Sequence, residues 1–177
     1  MLPMEIVLFP DPRLRAKNAP IENFDEQLAQ LAAAMFEAMY RTGGVGLAAP
    51  QVGVNRQLLV FNEEGKPEAK EHEVVLCNPR VVSKSKDRVS GEEGCLSFPG
   101  IYAPVLRHES VVIEAEDLQG ETFEKEFSAW EARIFQHEFD HLDGVLFIDR
   151  FSPSDKTRLK PALLDLKRAY QESLADS

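Results

Sequence analysis

The stretch QHEFDHLDG, residues 136–144, places two of the protein's four histidines four residues apart, with a glutamate directly after the first. It closes a longer segment, residues 128–144, that contains no proline and no glycine before Gly144. Ser128 and Glu131 have the spacing of a capping box, and Gly144 stands where a left-handed helix terminus belongs. The sequence therefore predicts a single helix that ends at Gly144.

Residues four apart on a helix lie on the same face, so His137 and His141 point to the same side. This spacing suits two ligands of one metal ion. Glu138 lies three residues before His141 and can reach the same site without binding the ion. Metal hydrolases with an H-E-x-x-H motif use this arrangement to move the proton of a bound water. The segment predicts metal-dependent hydrolysis.

A catalytic metal site needs a third protein ligand and an open position. A metzincin-like sequence would have a third histidine at Phe147, and a thermolysin-like one would need a downstream glutamate, for which Glu172 is the sole candidate. Upstream, Cys95 lies in GEEGCLSFPG, residues 91–100, and a thiolate is a good soft ligand. Cys95 is therefore the candidate third ligand, and a small buried cysteine without a role is the alternative.

Composition limits the class of protein. A chain of 177 residues with 44% hydrophobic and 28% charged residues predicts one globular domain, with a helical tail from about residue 152. The net charge of −10 disfavours direct binding to DNA, and no apolar run approaches the roughly 20 residues that span a membrane. Two cysteines, Cys77 and Cys95, cannot form a disulfide scaffold, so a reducing compartment is expected and Cys77 is assigned to the core.

The remaining elements predict an α+β fold with antiparallel sheet. A first helix is expected from Asn23, with Glu26 as its capping partner, and it ends at the TGG of residues 42–44. Strands are expected at residues 56–62, 73–78, 110–116, 122–127 and 145–151, and the third and fourth of these form a hairpin. A last helix begins at the Ser-Pro of residues 152–153, and Pro161 is expected to break or kink it.

The segment GGVGLAAPQVG, residues 43–53, is not a phosphate loop, because it lacks the Lys-Ser/Thr ending. Its small residues allow the backbone of another chain to lie close. Gln51 offers an amide donor that could face a developing oxyanion. A tight packing turn is the alternative interpretation.

Taken together and in this order, GVGLAAPQ, EGCLS and QHEFDH resemble the three signature motifs of the peptide deformylases. The resemblance extends over residues 7–150, and the flanking sequences are most similar to the active bacterial and plant-plastid branch. It implies that Cys95, His137 and His141 bind the metal and that Glu138 is the general base and acid. It also implies that Gln51 and the backbone N–H of Leu96 stabilise the oxyanion.

The same resemblance implies an activity, a cofactor and a fold. Such enzymes remove the N-formyl group from the formyl-methionine of nascent polypeptides, with Fe²⁺ as the native metal. Antiparallel sheets wrap around the H-E-x-x-H helix, with one helix before them and one after. Zinc or nickel is expected in protein purified in air. A cytoplasmic location is expected for a bacterial protein, and a plastid or mitochondrial matrix for an organellar one.

Selectivity for methionine requires an apolar pocket beside the metal. Val45 and Ile134 are expected in its wall and Trp130 at its rim, while the stem of Arg133 covers it with the charged head in water. Gly44, Gly46 and Gly94 complete the expected substrate-binding set.

Two further pairs of alternatives remain open. Glu93 and Arg107 are expected to pair and to hold the turn at Cys95 rigid, or else to form a solvated surface pair. The last helix either makes a weak ribosome contact or is an ordinary solvated amphipathic helix. The basic residues on which a contact would depend are Lys156, Arg158, Lys160, Lys167 and Arg168.

Two rival functions compete with deformylation. The first is a metallopeptidase with cysteine as an unusual third ligand. The second is a deformylase-like binding protein without catalysis, which the presence of all five motif side chains disfavours.

Overall fold

The computed structural model describes residues 3–177. Within them the α-helices are α1 (Glu26–Arg41), α2 (Ala129–Leu142) and α3 (Pro153–Ala175). The strands are β1 (Gly46–Ala48), β2 (Leu58–Asn62), β3 (Glu73–Lys84), β4 (Arg88–Cys95), β5 (Phe98–His108), β6 (Ser110–Glu116) and β7 (Thr122–Ser128). Short 3₁₀ helices occupy Pro12–Leu14, Ala49–Val52, Lys70–His72 and Phe147–Arg150.

Two antiparallel sheets surround α2. One has the strand order β1-β2-β3-β6-β7, and the other is the hairpin β4-β5. Helix α2 contacts strands of both sheets, so its H-E-x-x-H segment lies between them. The predicted α+β class is confirmed, as are the antiparallel sheets around this helix and the helices at both ends of the fold. None of the helices in residues 3–177 is both long enough and apolar enough to cross a membrane.

Helix α1 covers one side of the five-stranded sheet with a stripe of apolar side chains. Leu28, Met35 and Met39 are buried in it, as the three- and four-residue spacing predicts. Its N-cap is Asp25, whose carboxylate accepts a hydrogen bond of 3.0 Å from the backbone N–H of Leu28. The predicted N-cap, Asn23, was therefore wrong by two residues.

The ends of α2 differ from each other in how well they were predicted. Gly144 has a φ of 72°, so the left-handed terminus is confirmed. The capping box is wrong, because the Ser128 side chain makes no capping hydrogen bond. The first helical residue, Ala129, has a φ of 52°, and its N–H donates to the carbonyl of Glu109 at 2.9 Å. A tertiary hydrogen bond thus replaces the local cap.

In the C-terminal region the predicted strand was wrong, and so was a break of the last helix at Pro161, whereas a kink there stays a prediction. The apolar run after α2 contains a 3₁₀ helix at Phe147–Arg150 instead of a strand. Phe147 and Phe151 stand at the two ends of this turn and are both buried, with ring centroids 4.9 Å apart. In a strand, residues four apart are roughly 13 Å from each other, so this contact requires a turn. Helix α3 continues through Pro161, which lies on its exposed side, where water can satisfy the carbonyl that loses its helical partner.

Candidate metal centre

The three predicted metal ligands come from two elements. Cys95 is the last residue of β4, and His137 and His141 lie one turn apart on α2. Their ligand atoms all lie within 4.8 Å of one another, and Cys95 Sγ is 3.4 Å from His141 Nε2. A tetrahedral zinc-type ion with bonds of about 2.0–2.3 Å separates its ligand atoms by roughly 3.5 Å. The donor set therefore fits a divalent metal ion.

A carboxylate behind the cluster fixes the orientation of His137. Glu93 Oε1 is 2.8 Å from His137 Nδ1, which leaves Nε2 of that ring facing the cluster. Burial alone would raise the pKa of Glu93, but hydrogen bonds from Arg107 and His137 outweigh it and lower that pKa to about 2. Glu93 is therefore a permanent anion behind the metal ligand.

The charges within the cluster also fit a cation. Burial lowers the pKa of His137, but the negative charge of Cys95 and the hydrogen bond to Glu93 outweigh burial and raise it above its ordinary value. Burial and the positive charge of His137 lower the pKa of His141. His137 therefore favours its protonated form and His141 its neutral form. A divalent ion needs both imidazoles neutral, so its binding would displace a proton from His137.

Glu138 stands beside the cluster with one oxygen free. Its side chain is buried, Oε1 is 3.7 Å from His137 Nε2, and Oε2 has no hydrogen-bond partner among the described residues. Burial raises the pKa of Glu138 to about 7. A Cβ at Gly46 would lie 2.8 Å from Glu138 Cγ and 3.0 Å from Ile134 Cγ2, so only glycine allows β1 to pass this closely.

Gln51 is held with its amide nitrogen toward the cluster. Its Oε1 accepts a hydrogen bond of 2.9 Å from the N–H of Ala48, and its Nε2 lies 3.2 Å from Ser97 Oγ and 3.5 Å from Cys95 Sγ. Ser97 is fully buried. The sequence patterns did not predict this serine, because a single small polar residue beside a strand carries no spacing signal.

A cavity of about 340 Å³ opens beside the cluster. The predicted substrate-binding residues all line it, namely Gly44, Val45, Gly46, Gly94, Trp130, Arg133 and Ile134. Trp130 is 47% exposed and therefore lies at the rim, whereas Ile134 is buried. Tyr102 was not predicted. Its ring covers Gly94 so closely that a Cβ there would lie 2.5 Å from the ring.

The chain matches the family model of polypeptide deformylase over residues 3–157. The chain belongs to this family. It is 52% identical to peptide deformylase 1B, chloroplastic/mitochondrial, of Arabidopsis thaliana over 96% of this chain and 62% of that protein. It is 40% identical to the peptide deformylase of Thermotoga maritima over 94% of this chain and 98% of that protein.

Solved deformylase structures share the fold. A crystal structure of a point mutant of Arabidopsis thaliana peptide deformylase 1B superposes with a TM-score of 0.93 at 52% identity, covering 96% of this chain and 92% of that one. A Plasmodium falciparum peptide deformylase also gives 0.93, at 40% identity, with 95% and 98% covered. The chain spans 61–63% of the length of the three plant relatives that it matches at 49–52% identity.

The structure corrects one expected member of the deformylase site. Arg133 does not extend its charged head into water. Its guanidinium is buried and bonded to Glu93 and to backbone carbonyls of β4 and β5. The interior of the site offers these acceptors, and a pattern of residue types along α2 does not reveal them.

The geometry also bears on two other expectations. Glu93 and Arg107 form a two-bonded ion pair at 2.9 Å, and both side chains are only 4% exposed, so the surface-pair alternative is wrong. Cys77 is fully buried on β3, where burial raises the pKa of its thiol to about 12, and its assignment to the core is confirmed.

Proposed function

We propose that the protein hydrolyses the N-formyl group of formylmethionyl peptides and releases formate. The observation that carries this proposal is the convergence of Cys95, His137 and His141 on one point, with the free oxygen of Glu138 beside it. Membership of the polypeptide deformylase family supplies the substrate class. The family match also favours deformylation over the metallopeptidase alternative.

The side chains present can divide the work of amide hydrolysis. When bound, a divalent ion acidifies a coordinated water and polarises the formyl oxygen. Glu138 accepts the proton of the attacking water and returns it to the leaving amine. Gln51 Nε2, with the backbone N–H of Leu96, donates hydrogen bonds to the oxygen on which negative charge develops. Because Ala48 and Ser97 hold the amide of Gln51, this donor is already oriented before the substrate binds.

The cavity is suited to the methionine side chain. Val45 and Ile134 give it an apolar wall, and a long unbranched side chain can adapt to such a surface. At the rim, Trp130 donates from Nε1 to the carbonyl of Glu63 at 3.3 Å, so its ring is tethered to the loop after β2.

The metal is the second part of the proposal. Cys95 and the two histidines imply a metal cofactor, and we infer that Fe²⁺ is the active ion. By affinity order alone, a site with one thiolate and two imidazoles prefers zinc. Zinc or nickel is therefore expected to occupy protein that has been purified in air.

The partners and the compartment follow from the substrate. Formylmethionyl nascent peptides are made in the bacterial cytoplasm and in the plastid and mitochondrial matrices, so we propose one of these locations. The names of three plant relatives include the chloroplast, and one of them also the mitochondrion. Fractionation of source cells, with immunodetection beside marker proteins, tests the compartment.

A weak ribosome contact through the exposed basic residues of α3 is part of the same proposal.

An assay of formate release tests the activity. Protein loaded with Fe²⁺ under anaerobic conditions should release formate from formyl-Met-Ala faster than from formyl-Ala-Ala, and should leave casein intact. Cleavage of casein would support the metallopeptidase instead. A protein that binds formyl-Met-Ala but releases no formate would be the inactive binding protein.

A further inference from the structure

The guanidinium of Arg133 lies under the β4–β5 hairpin, although the residue belongs to α2 and precedes His137 by one turn. The residue is 9% exposed. Its hydrogen-bond acceptors all belong to the hairpin: Val89 O at 2.7 Å, Glu93 Oε2 at 2.8 Å, Val105 O at 2.9 Å and Gly91 O at 3.3 Å. One side chain of the metal-binding helix thus holds both strands of the hairpin.

Gly91 provides the space for this contact. A Cβ at this position would lie 2.9 Å from Arg133 Cζ and 3.0 Å from both Nε and Nη2. The φ of Gly91 is not in the left-handed region, so its backbone does not require glycine. Its lack of a side chain is instead what lets the guanidinium lie against the strand. We call this space the Gly91 slot.

Glu93 links the slot to the metal ligands. Its Oε1 accepts from His137 Nδ1 at 2.8 Å and from Arg107 Nη2 at 2.9 Å. Its Oε2 accepts from Arg107 Nε at 2.9 Å and from Arg133 Nη1 at 2.8 Å. A carboxylate with four donors on two oxygens has little freedom to rotate.

The ionic contacts between helix and hairpin are reciprocal. Helix α2 contributes the cation Arg133 and the anion Asp140, and the hairpin contributes the anion Glu93 and the cation Arg107, which bonds to Asp140 at 2.6 Å. The hairpin carries Cys95 and the helix carries both histidines. The position of one element on the other therefore sets the distances among the three metal ligands.

We propose that Arg133 is a positioning residue for the metal. Seated in the Gly91 slot, it fixes the β4–β5 hairpin on α2 and thereby sets the distance from the Cys95 thiolate to the two imidazoles. The proposal deepens the proposed function and rests on the same metal site. Without Arg133, the Arg107–Asp140 and Glu93–His137 contacts still join the hairpin to α2, so the fold is kept while Cys95 is held less tightly relative to the two histidines. Loss of such an outer contact typically weakens metal binding about 10–100-fold.

Cobalt(II) binding to the full chain tests the proposal. The variants are Arg133→Met, which keeps an apolar stem, Gly91→Ala, and the double variant. Affinity is measured by competition with a chelator, and coordination by the thiolate-to-cobalt charge-transfer and ligand-field bands. Each single variant should bind cobalt about 10–100-fold more weakly and show altered ligand-field bands. The double variant should bind cobalt no more weakly than Arg133→Met alone, because the Cβ added at position 91 then meets no guanidinium. Ser90→Ala, on the exposed face of β4, should match the parent.

Several outcomes would overturn the proposal. If both single variants lower the Tm but leave cobalt affinity within twofold and the bands unchanged, Arg133 has only a structural role. If Gly91→Ala weakens cobalt binding as much in the Arg133→Met background as in the parent, contact in the Gly91 slot is not the cause of the weaker binding.

Should Arg133→Met fail to fold, Gly91→Ala and Arg133→Lys decide by the same measurements. Cobalt binding is measured without peptide, so a parent protein that binds cobalt but releases no formate refutes the proposed function and leaves this test intact.

Discussion

Glu138 occupies a position where its carboxylate is useful to a reaction and unfavourable to the fold. A buried polar atom without a hydrogen bond costs about 1–3 kcal/mol. Glu138 Oε2 is such an atom, and Glu138 lines the cavity beside the cluster. A carboxylate kept at this cost beside the three candidate metal ligands supports the proposed role of Glu138 as a proton acceptor.

The role of Glu138 can be separated from metal binding. Glu138→Ala should retain the metal, since the residue is not among the three ligands, and should lower kcat by about 10²–10⁴-fold through loss of proton transfer. Metal content and formate release are measured on the same sample. Glu131→Ala, on the same helix but outside the cavity, is the matched control and should retain activity. A kcat within tenfold of the parent would exclude the acid–base role.

Ile134 offers a test of selectivity at a single side chain. Ile134→Ala enlarges the cavity wall and should lower kcat/KM for formyl-Met-Ala more than for formyl-Ala-Ala, because only methionine fills that space. Deletion of buried methyl groups costs roughly 2–5 kcal/mol in a core, so the Tm should fall as well. An unchanged ratio of the two kcat/KM values would remove Ile134 from the pocket.

At the scale of elements, the parts that were predicted are those with a clear period. In helix α2 the motif residues and the apolar residues recur at helical spacing without an intervening proline or glycine. In β6, buried and half-buried residues alternate up to the short turn that leads to β7. Strands β4 and β5 were not predicted. Two glycines in β4, together with the buried charges of Glu93 and Arg107, obscure the alternation of apolar and polar residues. Gly91 and the charged residues Glu93 and Arg107, which make these strands hard to predict, are also the residues that form the Gly91 slot and its ion pairs.

The candidate site was predictable for a different reason. The three motifs contain the candidate ligands, Glu138 and Gln51, and the family resemblance that they carry indicated the chemistry before any geometry was available. Arg133, Ser97 and Tyr102 act through contacts between distant segments, which leave no periodic signal in the chain. The roles of individual residues stay predictions until they are measured.

The 3₁₀ helix between α2 and α3 is held by an ion pair that should respond to pH. Asp149 bonds to Arg15 at 2.5 and 3.0 Å and to the N–H of Leu146 at 2.9 Å. Burial raises the pKa of Asp149, but the hydrogen bond from Arg15 outweighs it and holds the pKa below its ordinary value. The Asp149 side chain is 37% exposed, so solvent screening reduces the contribution of the ion pair to about 0.2–1 kcal/mol.

The sign of this effect gives the pH window. Because the pKa of Asp149 is lower in the folded state, its ionised carboxylate stabilises the folded protein above about pH 4. This stabilisation is lost as the pH falls through the lowered pKa. Asp149→Asn should therefore lower the Tm by about 2–4 °C for each kcal/mol lost at pH 7, and the difference should shrink at pH 3. Asp165→Asn removes an exposed pair on α3 and should change little at either pH. A Tm difference that is the same at pH 7 and pH 3 would contradict the ion-pair account.

At the scale of the whole molecule, α3 is attached to the rest of the fold by a narrow apolar strip. Leu159 is its buried residue, and Leu163 and Leu166 pack partly against the cluster that contains Phe151. Truncation after Phe151 should lower the Tm by several degrees, at about 2–4 °C per kcal/mol, and leave metal binding intact. If α3 also contacts the ribosome, the truncated protein should lose salt-sensitive co-sedimentation with ribosomes. Co-sedimentation that truncation does not change would reject the ribosome contact.

The choice of metal connects the site with the conditions under which the whole protein works. The Cys95 thiolate donates electrons strongly, which makes zinc a weaker Lewis acid than it is among neutral ligands. Cys95, His137 and His141 would hold the ion, and iron(II), which takes an additional ligand more readily than zinc, would supply the stronger activation of water and substrate. The same thiolate and an open coordination position expose an iron-loaded protein to oxygen, which would oxidise the metal or the sulfur.

We expect air-purified protein to contain zinc or nickel, and anaerobically iron-loaded protein to have the higher kcat/KM but to lose activity in air within hours. Metal analysis with paired formate assays, before and after exposure to air, measures both. Zinc and iron forms with equal kcat/KM and equal stability in air would show that Cys95 does not discriminate between the two metals.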